Sequence, residues 1–571
     1  MTTRYSCFDA VPAGRPSARA AYESWLTRQS PIGSVLPPAD RPPARDSFRI
    51  GIAGGGMAGL YAGLILKLMG FDIRIFELND RVGGRVYTHR FTQDPNQYFE
   101  AGAMRLPRIP EQQLVFELIE LVNSMVPPAL QVNLIPYVLY DAAGNNLVYM
   151  NGTRQPNGQT MTMSYADANP GALGFPLPAS DQGKTASSLL DAELGPFLQA
   201  LDKNFLDGFA QLLAYDNYSL YTYLTAFGGW TDELVNYTEA MTSQTNQFHN
   251  SLPELVIENM DFSTAGWFTI ANGMDRLPQA CASIIGMENI TLGARVQALE
   301  QLADGRVAVH WDGASTPDVF DKVIAAVPPA VLRMWQTPQW SADKTHAIRA
   351  MHYEPLYKIG MRFQTRFWEQ VPAPSHGGQS ITDLPSRWFV YPSYGIGDSG
   401  PGVMLLYSWM TDGAAFLPQP ESERVRIALR DLQAVYGPAG VDVAGQFIES
   451  FDVAWPTMWA TGDAMFFPGQ FASLFNIARA PEGNIYFAGE HLSVNHTWIV
   501  GALDSALLAV QQLLGSGQVE PPRPKGAGRR VPHRFDYSPL HSVKPTPGPA
   551  RRPQPGPRSR NGGVRWRFES L

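Results

Sequence analysis

From Phe48 onward the chain changes character in blocks. Phe48–Ala53 is an apolar run with the length of a buried strand. After Gly54-Gly55-Gly56, apolar side chains recur at Met57, Leu60, Tyr61, Leu64, Ile65, Leu68 and Met69, the i, i+3, i+4, i+7 spacing of a helix buried along one face. Gly70 stops that helix, and Asp72–Phe76 is a second apolar run ending on Glu77. The pattern predicts a complete βαβ unit. Further on, Pro110–Met125 reads as a helix entered through a proline, and Val132–Met150 as a hairpin turning near Ala143-Gly144-Asn145. From about residue 160 to 250 the pattern is helical. It includes Leu189–Leu213 and a stretch carrying Tyr215, Tyr218, Tyr221 and Tyr223, read as a packed helical layer.

Strand patterns follow on both sides of Asp304-Gly305, a good hairpin turn, and again in Phe320–Val327, which Pro328-Pro329 ends. Tyr357–Phe363, Trp388–Tyr391 and Val403–Trp409 are strand-like, Ser422–Tyr436 is an amphipathic helix, Ile485–Ala488 is a short strand, and Ile499–Leu514 closes as a helix. The expected class is α/β (α+β overall). Its organisation is an N-terminal arm (1–47), a dinucleotide-binding domain in three parts (48–110, 251–330, 451–515), a helical cap and substrate region (111–250), a substrate-binding domain (331–450) and a basic, Pro-rich tail (516–571).

Composition narrows the class. At 571 residues, 44% hydrophobic and 17% charged, the chain has the usage of a globular protein with more than one core. Lys67 interrupts the best apolar stretch, so no membrane partner is expected, and no signal-like region opens the chain; a cytoplasmic enzyme is expected. With only Cys7 and Cys281, a disulfide framework and a thiolate metal site are both disfavoured. Residues 521–571 carry ten Arg and two Lys against Asp536 and Glu569, a surplus of +10, so the remainder must hold −18 to reach the whole-chain −8. An acidic body argues against nucleic acid as a partner. The tail reads as a solvated appendage, and the arm as a strap for the body or a second subunit.

The first unit also carries chemistry. Gly54-Gly55-Gly56-Met57-Ala58-Gly59 fits G-x-G-x-x-G between strand and helix. Gly54 permits the tight turn, Gly56 the approach of a pyrophosphate, Gly59 close packing of helix on strand, and Glu77 can hold a ribose. The helix start presents unpaired N–H groups to the phosphates. These features point to a dinucleotide without choosing between NAD and FAD.

Two further stretches, Arg81-Val82-Gly83-Gly84-Arg85 and Gly102-Ala103-Met104-Arg105-Leu106-Pro107, resemble the flavin-containing amine oxidase superfamily, and within it the L-amino acid oxidases and amino acid 2-monooxygenases. The resemblance implies noncovalent FAD, since no histidine or cysteine stands at the place used for attachment. It places Gly84, Arg85, Ala103, Met104 and Arg105 beside the flavin and pairs the Val296 backbone with the adenine. Phe487-Ala488-Gly489-Glu490 matches the return motif, with Trp455, Trp459, Trp498 and Ile499 near the cofactor. Arg105 matches the carboxylate arginine and Tyr407 its phenolic partner. Lys358, inside an apolar strand, matches the lysine that holds a water against flavin N5. Each has a plainer reading: a surface ion pair, a strand tyrosine, a salt-bridged lysine.

Thr497, Trp498 and Val390 are expected at the substrate; Val390 stands where relatives carry a larger aromatic residue. Asp463 is placed near the substrate side chain, where it would suit a lysine or arginine substrate, although a solvated turn residue is the preferred reading. His491 and His496 read as ordinary loop histidines, and no metal is expected. The implied activity is oxidation of an L-amino acid by O₂: hydride leaves Cα for flavin N5, giving a 2-oxo acid, ammonia and H₂O₂, in a homodimer. The alternatives are a 2-monooxygenase forming an amide, an amine oxidase, or a non-catalytic flavoprotein.

Overall fold

The structure is a computed structural model and describes residues 48–515 apart from 245, 263–265 and 458–460; the arm, the tail and Trp459 therefore lie outside the described residues. The apolar blocks become β1 (Arg49–Ala53), α1 (Met57–Leu68), β2 (Asp72–Phe76), β3 (Ile290–Thr291), β4 (Lys322–Ala325), β5 (Ile485–Phe487) and α2 (Ile499–Gly515). The five strands form one sheet in the order β3-β2-β1-β4-β5, parallel at every pairing. Parallel strands are covered on both faces, which is why β1, β4 and β5 are apolar almost throughout.

α1 and α2 pack together on this sheet around one core. The approach is close enough that a Cβ on Gly59 would lie 1.9 Å from the Gly54 carbonyl oxygen. No side chain but hydrogen fits there.

A second, seven-stranded sheet runs Phe447–Ala454, Leu356–Phe363, Gly402–Trp409, Trp388–Val390, Gln379–Thr382, Leu147–Tyr149, Met161–Thr162. It is antiparallel except where Gln379–Thr382 meets Leu147–Tyr149. Alternation sorts its side chains. Tyr357, Ile359, Met361 and Phe363 enter a core shared with the helix Glu421–Tyr436. Leu356, Val390, Leu405 and Trp409 join the opposite core, beneath the helices Ala186–Lys203 and Leu252–Asp261. Lys358 therefore belongs to the second face, and the register sets it opposite Tyr407.

One expected element is absent. Residues 132–150 do not form a hairpin: Leu134–Pro136 pairs with Trp267–Ile270, whereas Leu147–Tyr149 pairs in the large sheet. The turn itself is real, with the Gly144 N–H donating to the Asp141 carbonyl at 2.9 Å. The tyrosines 215, 218 and 223 pack edge-to-face with Phe197 and Phe227, as a helical layer does.

Two glycines make a contrasting test. Gly59→Ala is expected to destabilise by at least ~1–3 kcal/mol, the usual cost of overpacking. Gly195→Ala, inside Ala186–Lys203 where an added Cβ meets nothing, should be neutral or stabilise by about 0.5–1 kcal/mol. Thermal unfolding of the two variants checks both signs.

Candidate active site

Ligands of open α/β sheets sit outside the carboxyl ends of the strands. There a cavity of about 2950 Å³ extends from Gly54, Gly56 and Glu77 to Arg105 and to Lys358 and Tyr407 of the seven-stranded sheet. It is several times the ~300–1,000 Å³ of an ordinary small-molecule pocket. A dinucleotide and a small substrate can share it.

At the sheet end, Gly54 adopts φ +109° and donates its N–H to the Phe76 carbonyl at 2.8 Å. Among the described residues no side chain caps α1, and a Cβ built on Gly56 would find only Gly84 Cα, at 4.0 Å. The helix start thus faces open space, as a pyrophosphate site requires. Glu77 is buried, accepting from Gly55 N at 2.7 Å and from Asn79 N and Nδ2 at 2.9 and 2.7 Å. These bonds hold the acid at the ribose position of such a site. The Arg81–Arg85 segment locks on through Gly83 N donating to the Gly55 carbonyl at 2.9 Å. Met57, Ala58, Gly84, Val296 and Ile499 line the same cavity, whereas Gly59 serves packing alone.

Glu490 ties the middle together. It pairs with Arg85 at 2.9 Å and accepts from Ala464 N at 3.3 Å and Thr497 N at 3.2 Å. Burial pushes its pKa up, but Arg85 and neighbouring histidines outweigh that and leave it below the ordinary value. Thr497 takes φ +69°, a left-handed backbone that a β-branched residue rarely adopts, and it lines the cavity beside Gly489 and Trp498. Such strain costs about 1–3 kcal/mol and gathers at working sites.

At the far end, Arg105 is 8% exposed. Its guanidinium lies 5.0, 5.7 and 5.4 Å from the ring centroids of Phe262, Trp267 and Trp388, and donates to Gln379 Oε1 at 3.3 Å. Among the described residues no carboxylate lies within ion-pair distance of it. Lys358 Nζ donates to the Gly102 carbonyl at 2.6 Å and sits 4.4 Å from the Tyr407 ring centroid. Burial, reinforced by Arg105, lowers its pKa to about 7 against the pull of Glu100 and Asp463. Trp455 Nε1 donates to the Ala101 carbonyl at 2.8 Å, and Ala103, Met104, Trp455 and Trp498 line the cavity here.

Several expectations change. Val390 does not line the cavity; it is 5% exposed and packed in the core, and Trp388, two residues earlier on the same strand face, reaches the cavity instead. Asp463 is not a solvated turn residue: it lines the cavity beside Glu354, its partner in a short strand pair. His491 and His496 are not ordinary loop histidines; both are buried, and His496 Nδ1 meets Glu254 at 2.8 Å. Sequence reading missed Phe262, Trp267 and Trp388 around Arg105, and missed Glu258 and Glu354. Parity along Trp388–Val390 was the one signal for the aromatic wall.

Among the described residues no group of three or more His, Cys, Asp and Glu is placed to hold a metal, and no helix is long and apolar enough to cross a membrane.

Comparison with known proteins shows the family and the fold. The model of the flavin containing amine oxidoreductases matches residues 57–514. A putative bifunctional amine oxidase of Dictyostelium discoideum is 32% identical over 507 residues, covering 82% of this chain but 46% of that protein. The putative L-amino-acid oxidase YobN of Bacillus subtilis (strain 168) is 30% identical over 468 residues, covering 80% of this chain and 92% of that one. Among solved structures, the cyclohexylamine oxidase from Brevibacterium oxydans IH-35A shares the fold at TM-score 0.61 and 17% identity, over 82% of this chain and 98% of its own. The cradle for a dinucleotide fits the FAD of this family, and the chain belongs to the flavin containing amine oxidoreductases.

Proposed function

We propose that the protein is an FAD-dependent L-amino acid oxidase. One observation carries the reading: the Arg105 guanidinium is buried at the cavity wall, caged by aromatic rings, with no carboxylate of its own among the described residues. A charge in that setting calls for an anion, and a planar fork suits a carboxylate. An amine without a carboxylate leaves it unanswered.

Arg105 holds the α-carboxylate, with the Tyr407 hydroxyl as a second donor, so that Cα faces the flavin position. FAD, held by the cradle around Gly54, Gly56 and Glu77, would supply the hydride acceptor and the route for electrons to O₂. The substrate amine must be neutral as hydride leaves Cα, and Lys358, neutral above about pH 7, is placed to take up a proton through a water. Loss of hydride and one proton leaves an imino acid, which water converts to the 2-oxo acid and ammonia; O₂, two electrons and two protons give H₂O₂. The walls of Trp388, Trp455 and Trp498 keep other water away. Cys281, in the core away from the cavity, offers no thiol for flavin attachment.

Arg105→Ala should lower kcat/KM for the best L-amino acid by ~10²-fold or more, the loss of two charged hydrogen bonds at about 1.5–3 kcal/mol each. Peroxide and ammonia release measure it, and an unchanged value rejects the carboxylate role. In the wild type kcat/KM should rise as pH passes through about 7, and Lys358→Met should flatten that limb. Acid precipitation should free all the flavin into the supernatant; yellow colour left in the pellet contradicts noncovalent binding.

A further inference from the structure

The same cavity has a second charge pattern. Glu258, Glu354 and Asp463 line it together with Arg105 and Tyr407. They come from three separate segments: the helix Leu252–Asp261, and the paired strands Tyr353–Glu354 and Asp463–Ala464, where Glu354 stands directly opposite Asp463. Two carboxylates so placed would repel, and the pair is relieved by a side-chain hydrogen bond between Glu354 and Asp463, which needs a proton on one of them. Among the described residues no Lys, Arg or His makes an ion pair with any of the three; Arg85, whose charge acts on Asp463, is committed to Glu490 and the Gly462 carbonyl. Glu354 accepts from Gln247 Nε2 at 3.2 and 3.1 Å. Oε2 of Glu258 and Oδ1 of Asp463 are sealed from solvent and have no hydrogen-bond partner among the described residues.

Buried oxygens without donors are expensive, and a fold tolerates them where a ligand completes them. Arg105 does not do so: its field reaches Glu258, yet the two make no ion pair. The cavity is therefore polarised, with a fixed cation at Arg105 and, at Glu258, Glu354 and Asp463, a cluster of carboxyls that an incoming cation can ionise. Between these poles Tyr407, Trp388 and Trp409 pack edge-to-face and line the wall, a surface suited to an aliphatic stem.

We infer that the substrate is an L-amino acid whose side chain ends in a cation, of the lysine, ornithine or arginine class, its side-chain nitrogen donating to Glu258, Asp463 and Glu354. The inference rests on the amino acid oxidase reading and adds the side-chain end. Without substrate the cluster keeps protons. Burial, then Glu254, Asp463 and Asp261, raise Glu258 to about 8 against Arg105. Burial and Glu490 raise Asp463 to about 7 against Arg85 and Glu354. A cationic side chain displaces those protons, so its binding tightens as pH rises. A neutral side chain has no such dependence.

The test compares lysine, norleucine and cadaverine on the flavin-loaded enzyme, by peroxide release. Lysine should exceed norleucine in kcat/KM by ~10²-fold or more, and the ratio should climb between pH 6 and 8.5; Lys358 titrates for both and cancels. Glu258→Gln and Asp463→Asn should each cut the lysine-to-norleucine ratio at least tenfold. 6-Aminohexanoate should compete with substrate far better than hexanoate, and Glu258→Gln should abolish that advantage. Norleucine oxidised as well as lysine overturns the acidic pocket and leaves the oxidase reading standing. Equal losses for both substrates in Glu258→Gln overturn it too, assigning the acid to the α-amine. Cadaverine preferred over lysine removes the carboxylate reading beneath both.

Discussion

A guanidinium held out of water without a counter-ion is the constraint around which this cavity is built. Burying a charge costs several kcal/mol even after relaxation, and the usual relief is an acidic neighbour. Arg105 has none among the described residues. Its relief comes from rings and dipoles: the faces of Phe262, Trp267 and Trp388, the Gln379 carbonyl, and Tyr137 nearby. A desolvated cation–π contact is worth ~2 kcal/mol, enough to make the charge tolerable but not satisfied. A standing carboxylate would stabilise the protein better and would block the site. Lys358 solves the same problem differently, because an ammonium, unlike a guanidinium, can shed its proton when burial makes the charge costly.

These two cations reach one place through ordinary fold geometry. Arg105 precedes the short strand Leu106–Pro107, on a turn whose Gly102 lies so close to the Arg85 carbonyl that a Cβ there would stand 1.8 Å from its oxygen. Lys358 arrives by strand parity, its neighbours Tyr357 and Ile359 anchored in the opposite core. A shift of one residue in that strand would send the lysine into the apolar core and the tyrosine into the cavity. Register across Leu356–Phe363 and Gly402–Trp409 is thus the mechanical basis of the Lys358–Tyr407 contact.

What could be read from the chain follows the range of each interaction. The βαβ unit is local, so its strand, glycines, helix and acid were all legible, as was the Asp304-Gly305 hairpin. Lys358 drew notice because one charge interrupts an apolar run. The hairpin expected at 132–150 failed because a correct turn says nothing about partners that lie more than a hundred residues away. Val390 failed by two positions on a correctly placed strand. Glu258 and Glu354 left no local mark at all: one sits on an unremarkable amphipathic helix and the other in a two-residue strand, and only tertiary pairing sets them beside Asp463.

The two poles of the cavity also explain why its acids and its arginine stay apart. Were Glu258 in contact with Arg105, each would satisfy the other and neither would select a ligand. Held apart in a low-dielectric space, both keep an unmet demand: the arginine for an anion, the protonated acid for a cation that can take its proton's place. A molecule with one charge meets half of them and leaves the other half exposed to the same desolvation cost. Only a ligand carrying both charges, on a stem that the rings of Tyr407, Trp388 and Trp409 can cover, answers the whole cavity. On the proposed reading, selectivity comes from what a wrong ligand leaves unpaired, a larger penalty than a missing apolar contact imposes.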